Sequence, residues 1–274
     1  MEEFYLAGGL DGENSKYAGS VYFDQQRAKT FEHSTSFDPK KIKDLEQVYK
    51  LAEKIIEGYY QWLEVYGHDF QYENFRAEDK LSMTGPHGSI LNGRLDLLAD
   101  HKDTGDITVL DFKVVQSIEG MVKDLGVSEQ GLMYALLAKI NHPGRQVRVV
   151  WSMMKRSMRT GAAKPPFYQR HELNVNNDMI RQYYEQLHGQ VGEVLRLEAM
   201  LNEGHKPHVV AYPTPSGDCS WKCSFYAVCG LMNDPQNDTD YIFDNHFTKY
   251  EPKKPGQDFH GQILEETVTP VTLG

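Results

Sequence analysis

The segments Gly93-Arg94-Leu95-Asp96-Leu97-Leu98-Ala99-Asp100 and Ile107-Thr108-Val109-Leu110-Asp111-Phe112-Lys113 are short apolar runs. Between them, His101-Lys102-Asp103-Thr104-Gly105-Asp106 concentrates turn-forming residues. The pattern predicts a β-hairpin. A hairpin brings Asp96 and Asp111 close together on adjacent strands, and Lys113, two residues beyond Asp111, projects from the same face. Two carboxylates and an ammonium embedded in apolar sequence are costly to bury unless they are paired or bound to metal. A hard divalent cation held by both aspartates, with the lysine beside it, satisfies all three groups. The plainer reading makes Asp96 a turn residue and Asp111 and Lys113 a solvent-facing pair on an edge strand. A polar helix stripe and a cysteine cluster downstream weigh against it.

The chain has 274 residues and a formal charge of −10. That length buries a real core and suits one domain with a small appendage. Met1-Glu2-Glu3-Phe4 lacks the basic and apolar regions of a secretory leader. No run reaches the roughly 18 apolar residues that cross a bilayer. The expectation is a soluble, cytoplasmic protein, in a bacterial host cell if phage-encoded, with no membrane association. The acidic balance argues against nucleic-acid binding over the whole surface. Yet Pro143 to His171 holds no acid and seven bases, among them Arg145, Arg148, Lys155, Arg156 and Arg159. A local basic patch tracks phosphates even on an acidic protein; a solvated basic hairpin is the competing reading. The three cysteines, Cys219, Cys223 and Cys229, lie within one short stretch. An odd number argues against a closed disulfide framework, and the clustering suggests a metal or iron–sulfur site.

Residues 1–40 are rich in breakers and show little periodicity. Asp38-Pro39 predicts a helix start, and Leu45, Val48, Leu51, Ile55, Tyr59 and Leu63 recur at helical spacing up to a stop at Gly67. Asp69–Glu78 reads as a strand, with Glu73 as a further candidate ligand or a solvated acid. Leu81–Met83 and the central hairpin follow, which implies an antiparallel meander. Gly126–Ile140 reads as a helix opened by Ser128, with Leu132, Leu136 and Ile140 as its apolar stripe. Gln130 and Tyr134, four residues apart, share another face and suit contact with a phosphate or a water. Gln146–Met154 and Phe167–Leu173 are predicted strands, and Asn177 to about Gly204 a long helix. Pro207–Met232 carries the cysteines, and a polar tail follows. Strands first, then helix, strand and helix, predict an α+β (mixed α/β) fold.

Taken together, Gly93-Arg94-Leu95-Asp96, Asp111-Phe112-Lys113, Gln130-x-x-x-Tyr134 and the C-terminal cysteines resemble the PD-(D/E)XK nuclease superfamily. Within it they resemble the RecB-like branch of CRISPR-associated and phage exonucleases. The resemblance spans roughly residues 45 to 232. It implies a restriction-endonuclease-like central mixed sheet flanked by helices, with a C-terminal cysteine module. The divisions it suggests are an N-terminal segment 1–40, a nuclease core 41–205, a cysteine module 206–233 and a tail 234–274. It implies that Asp96, Asp111 and the backbone carbonyl of Phe112 bind Mg²⁺ or Mn²⁺. Lys113 then stands beside the attacking water or neutralises the phosphorane, and Gln130 and Tyr134 position phosphate or water. The cysteines resemble an iron–sulfur staple, in which three C-terminal cysteines join one far upstream. Here no upstream cysteine is present, and His33 is the only histidine before the predicted helix at Pro39. Three readings stand: a [4Fe–4S] cluster completed by a preceding segment or a non-cysteine ligand, a Cys₃His zinc site using His205 or His208, or no metal.

The expected function is a metal-dependent DNA exonuclease of phage or bacterial recombination or repair type, with DNA as partner. The alternative is a catalytically weak or inactive nucleic-acid-binding remnant of the same fold with a structural metal site.

Overall fold

The computed structural model describes residues 1–7, 15–33, 39–67, 69–125, 128–157, 162–210, 214, 216–232, 234 and 236–247. The chain divides into two compact units, Met1–Leu187 and a second beginning at His188.

The first unit is built on a five-stranded mixed sheet in the order β1-β2-β3-β4-β5. The strands are β1 (Tyr72–Thr84), β2 (Ile90–His101), β3 (Ile107–Val115), β4 (Val147–Lys155) and β5 (Tyr168–Leu173). The first three form the antiparallel meander expected from the sequence. The predicted Asp69–Glu78 and Leu81–Met83 segments are one 13-residue strand, β1. A register shift between Glu73 and Arg76, with Asn74 at φ 51°, lets it stay paired with β2 along its whole length. β3 and β4 then run parallel. A parallel pair needs a long crossover. It is supplied here by α4 (Ile118–Leu125) and α5 (Glu129–Asn141). The sequence reading did not separate α4 from its surroundings. Ser128 occupies the N-cap position of α5 but makes no side-chain capping bond.

Each face of the sheet has its own core. On one face, Leu98, Ile107, Val109, Val149, Trp151 and Met153 pack against α4, α5 and the first turns of α6 (Asn177–Asn202), through Ile180, Tyr183 and Leu187. On the other, Leu97, Ala99, Leu110, Val150 and Met154 pack against α1 (Glu2–Leu6) and α3 (Pro39–Tyr66). Central strands buried on both faces read as continuous apolar runs, which is why Ile107–Leu110 and Val147–Met154 show no clean alternation. α3 ends at Gly67, at φ 62°, as its sequence predicts. Of its stripe, Ile55, Tyr59 and Leu63 are buried, whereas Val48 is exposed because the first half of the helix lies beyond the core. Residues 1–40, unreadable by periodicity, contain α1 and α2 (Ser15–His33). Phe4 and Tyr5 of α1 are fully buried.

A polar network lies inside the second core. Arg170 of β5 pairs with Asp69, just before β1, and both side chains are almost fully buried. Tyr5 donates to Asp69 Oδ2 (2.8 Å). Arg170 donates to the hydroxyls of Tyr59 (3.1 Å) and Tyr5 (3.3 Å), and Tyr59 meets Ser152 Oγ at 2.7 Å. Burial, then Tyr59 and Asp69, push the Tyr5 hydroxyl well above the ordinary tyrosine range, so it stays a donor. The network ties α1, α3, β4, β5 and the entry to β1 at one point.

The second unit holds the rest of α6, then α7 (Pro207–Val210), α8 (Cys219–Lys222), α9 (Tyr226–Met232) and α10 (Thr239–His246). Val210, Val228 and Ile242 are its buried apolar residues among those described. Val194, Leu195 and Leu201, the later part of the predicted α6 stripe, are exposed.

Removing one member of a buried ion pair strands the other charge. Arg170→Met is therefore expected to destabilise the protein by about 3–5 kcal/mol in urea unfolding. Asp69→Asn with Arg170→Met should recover part of that loss, and a double variant no better than the single one would contradict the pairing.

Candidate active site on the central hairpin

The β2–β3 ladder runs from Asp100–Ile107 to Leu97–Leu110 and stops there. The next residues on each strand are Asp96 and Asp111. Where backbone pairing ends, the Asp96 carboxylate takes over: Oδ2 accepts from the Phe112 backbone N–H at 2.9 Å. β2 continues toward Ile90 paired with β1 alone. The two strands thus diverge at the level of the acids.

The face that carries Asp111 and Lys113 is covered by α5. Helix and sheet approach closely because two glycines allow it. A Cβ on Gly93 would fall 2.5 Å from Leu137 Cδ1, and one on Gly131 would fall 2.7 Å from Leu173 Cδ2 and 3.3 Å from the Trp151 ring. This approach brings Gln130 and Tyr134 over the acids. Lys113 Nζ lies 2.8 Å from Asp111 Oδ2 and donates to Gln130 Oε1 at 3.1 Å. Gln130 Nε2 donates to Tyr134 Oη at 2.7 Å and to Asp111 Oδ1 at 3.4 Å. The Lys113 ammonium also sits over the Trp151 ring, 5.1 Å from its centroid. The structure therefore gathers Asp96, Asp111, Lys113, Gln130 and Tyr134 in one place.

Burial pushes the Asp111 carboxyl up to about 6; Lys113 draws it down, and Asp96 pushes it up. Burial also raises the Tyr134 hydroxyl; Gln130 opposes this, and Asp111 and Asp96 reinforce it, so the phenol remains a neutral donor. The donor set is two carboxylates on adjacent strands, hard oxygen ligands of the kind divalent cations prefer. A cation between them would favour the charged form of Asp111 that burial disfavours. The set suits a hard divalent ion.

The other candidates lie elsewhere. Glu73 pairs with Asp100, at the turn end of the hairpin, and does not join the acids. Arg145 and Arg148 also stand at that end: Arg145 pairs with Asp100 (3.1 Å) and Arg148 with Asp106 (3.0 Å). Lys155, the last residue of β4, and Arg156 just beyond it lie at the opposite end of that strand, the end nearer to Lys113 in the β3–β4 register. Arg159 lies outside the described residues. Cys219, Cys223 and Cys229 are free thiols on and beside α8 and α9. Among the described residues, no three His, Cys, Asp or Glu side chains gather into a metal-holding group.

In the sequence Trp151 reads only as a residue of the Gln146–Met154 strand, because it faces Asp111 only through the parallel β3–β4 register. Phe112 has a second role as well. Its ring lies on the far side of the sheet, stacked on Tyr5 (5.6 Å) and edge-on to Tyr59 (6.2 Å).

Paired acids with an adjacent amine thus meet where the β2–β3 ladder ends, under Gln130 and Tyr134 of α5. Residues 1–230 match the family model of the PD-(D/E)XK nuclease superfamily, and the chain belongs to that superfamily. Its substrate class is accordingly nucleic acid, and members generally use divalent metals. No curated protein matches the chain. Among solved structures, it is similar to a protein from Eubacterium rectale provisionally named an exonuclease, at 13% identity and TM-score 0.42, covering 82% of this chain and 74% of that one. It is also similar to SSO0001, at 13% identity and TM-score 0.32, covering 70% of this chain and 80% of that one. Among the described residues, no helix is long and apolar enough to cross a membrane.

A carboxyl whose folded pKa is raised, here to about 6, destabilises the fold once it ionises, and the cost fades as pH falls toward the ordinary aspartate value. In chelator, Asp111→Asn should therefore stabilise the protein by about 1 kcal/mol at pH 8. The gain should shrink as pH falls through 6. Equal thermal stability of variant and wild type at both ends of that range would contradict this. Gly131→Val sets a modest gain in helix propensity against overpacking on Leu173 and Trp151. It is expected to lose about 1–3 kcal/mol in urea unfolding, and also activity, since Gln130 and Tyr134 ride on the displaced helix.

Proposed function

We propose that the protein is a Mg²⁺- or Mn²⁺-dependent DNA exonuclease of recombination or repair type. The single observation that carries the chemical part of this reading is the convergence of Asp96, Asp111 and Lys113 at the end of the β2–β3 ladder. Asp96, Asp111 and the Phe112 carbonyl are the groups that would hold the ion. When bound, it supplies Lewis acidity to the phosphodiester and acidifies a water.

The protein's own side chains do the rest. The Lys113 ammonium, held by Asp111 and Gln130 and backed by the Trp151 ring, places positive charge where negative charge develops in the transition state. Gln130 and Tyr134 fix the orientation of that ammonium and offer a neutral hydroxyl donor to a phosphate oxygen. α5 and Trp151 cover one side of the site and limit its access to bulk water. Lys155 and Arg156, at the same end of the sheet, are placed to neutralise backbone phosphates, whereas Arg145 and Arg148 serve the hairpin turn.

Lys113→Ala and Asp111→Asn should each reduce Mg²⁺-dependent degradation of linear DNA by at least ~100-fold. Calorimetric titration with Mn²⁺ should show uptake by the wild type and none by Asp96→Asn/Asp111→Asn. Undiminished degradation by Lys113→Ala would overturn the assignment, and closed circular DNA resisting digestion would support end-dependence.

A further inference from the structure

A groove of about 430 Å³ opens on the first unit, lined by Gln61, Trp62, Val65, Tyr66, Pro165, Pro166, Phe167 and Tyr168. Half of its lining is aromatic. The rings of Tyr59, Trp62 and Tyr66 follow one another along the last turns of α3, with successive centroids 5.7 Å apart. The ladder begins at the fully buried Tyr59 and runs outward to Tyr66, which is 64% exposed. Trp62 also faces Tyr168 across the groove at 6.0 Å. Trp62 and Phe167 pack partly against the core, so part of this aromatic surface is structural. Val65, beside Tyr66, is 76% exposed.

The β-strand rim of the groove is positive. Lys155 Nζ lies over the Phe167 ring at 5.8 Å and donates to the Lys164 carbonyl. Arg156 is next to it in sequence, and the run from Asn141 to His171 contains no acid. The groove also has a defined position relative to the acids. Lys155 pairs with Val115, two residues beyond Lys113 on β3, roughly 7 Å along the strand. The groove and the Asp96–Asp111 site therefore share one end of the sheet, on opposite faces.

Planar rings, the outermost of them exposed, beside a run of basic residues without an acid are the equipment for holding unstacked bases and their phosphates. A duplex keeps its base faces hidden, so it has no use for such rings. We infer that this groove binds single-stranded DNA, with bases stacking on Tyr66, Trp62 and Phe167 and phosphates meeting Lys155, Arg156 and Lys164. The inference deepens the nuclease reading and rests on it for the fate of the strand: DNA held here is led over the ends of β3 and β4 toward Lys113.

The test is equilibrium binding of a fluorescein-labelled oligothymidine and of a blunt duplex of equal length, in chelator so that neither is cut. Tyr66→Ala, a surface change, is expected to weaken oligothymidine binding ~10-fold and leave duplex binding unchanged. Tyr66→Phe, which keeps the ring, should restore it. Lys155→Ala should make the salt dependence shallower by about 0.7 in log–log slope. Undiminished oligothymidine affinity in Tyr66→Ala would overturn the inference and reassign the groove to a protein partner. No binding by the wild type, or an equal loss for duplex, would also overturn it. If oligothymidine binds as expected but Mg²⁺ elicits no cleavage, the nuclease reading fails and the groove stands.

Discussion

The structure depends on one enforced proximity, two carboxylates brought to the point where the β2–β3 ladder ends. Asp111 is almost fully buried, and burial and its neighbour Asp96 both resist its ionisation. Such a pair persists only if surrounding groups hold it in place. Lys113 supplies the countercharge from two residues away, and Gln130 ties that ammonium and Asp111 to α5. Asp96 is anchored by a backbone donor that the ladder leaves free. The fold gives up stability here to keep a charged cluster at the end of the ladder.

The hairpin is held from both faces. On one, the close approach allowed by Gly93 and Gly131 seats α5 on the sheet. On the other, Phe112 packs against Tyr5 and Tyr59, whose hydroxyls belong to the buried Asp69–Arg170 network. Residues more than a hundred positions apart thus converge behind the acids. α1, five residues long, is fastened by this network and by the stacking of Phe4 on Tyr60. The breaker-rich N-terminal segment therefore contributes directly to the support of the site.

The basic stretch divides by position along the sheet. At the turn end, Arg145 and Arg148 are matched by Asp100 and Asp106 and hold the hairpin turn against β4. At the other end, Lys155 lies over the Phe167 ring, with Arg156 next to it in sequence. A run of charges that looks uniform in sequence carries two roles, because a strand of nine residues places its ends about 25 Å apart.

Much of the fold was legible from local pattern. The turn chemistry at Asp103–Asp106 and the apolar runs around it determined the hairpin, and with it the nearness of Asp96, Asp111 and Lys113. The 3.6-residue periodicity determined α3, α5 and α6, and the four-residue spacing put Gln130 and Tyr134 on one face. Local pattern has no purchase on what depends on distant partners. The parallel β3–β4 register, which sets Trp151 against Asp111, follows from a crossover. The place of α1 in the core follows from a salt bridge between residues 69 and 170. The sequence by itself determined which chemical groups would meet, because a hairpin and a helix turn are short-range geometry. Only the tertiary structure decided how deeply those groups are buried, which cations remain beside them and which are consumed in ion pairs, because burial and pairing belong to the packed whole.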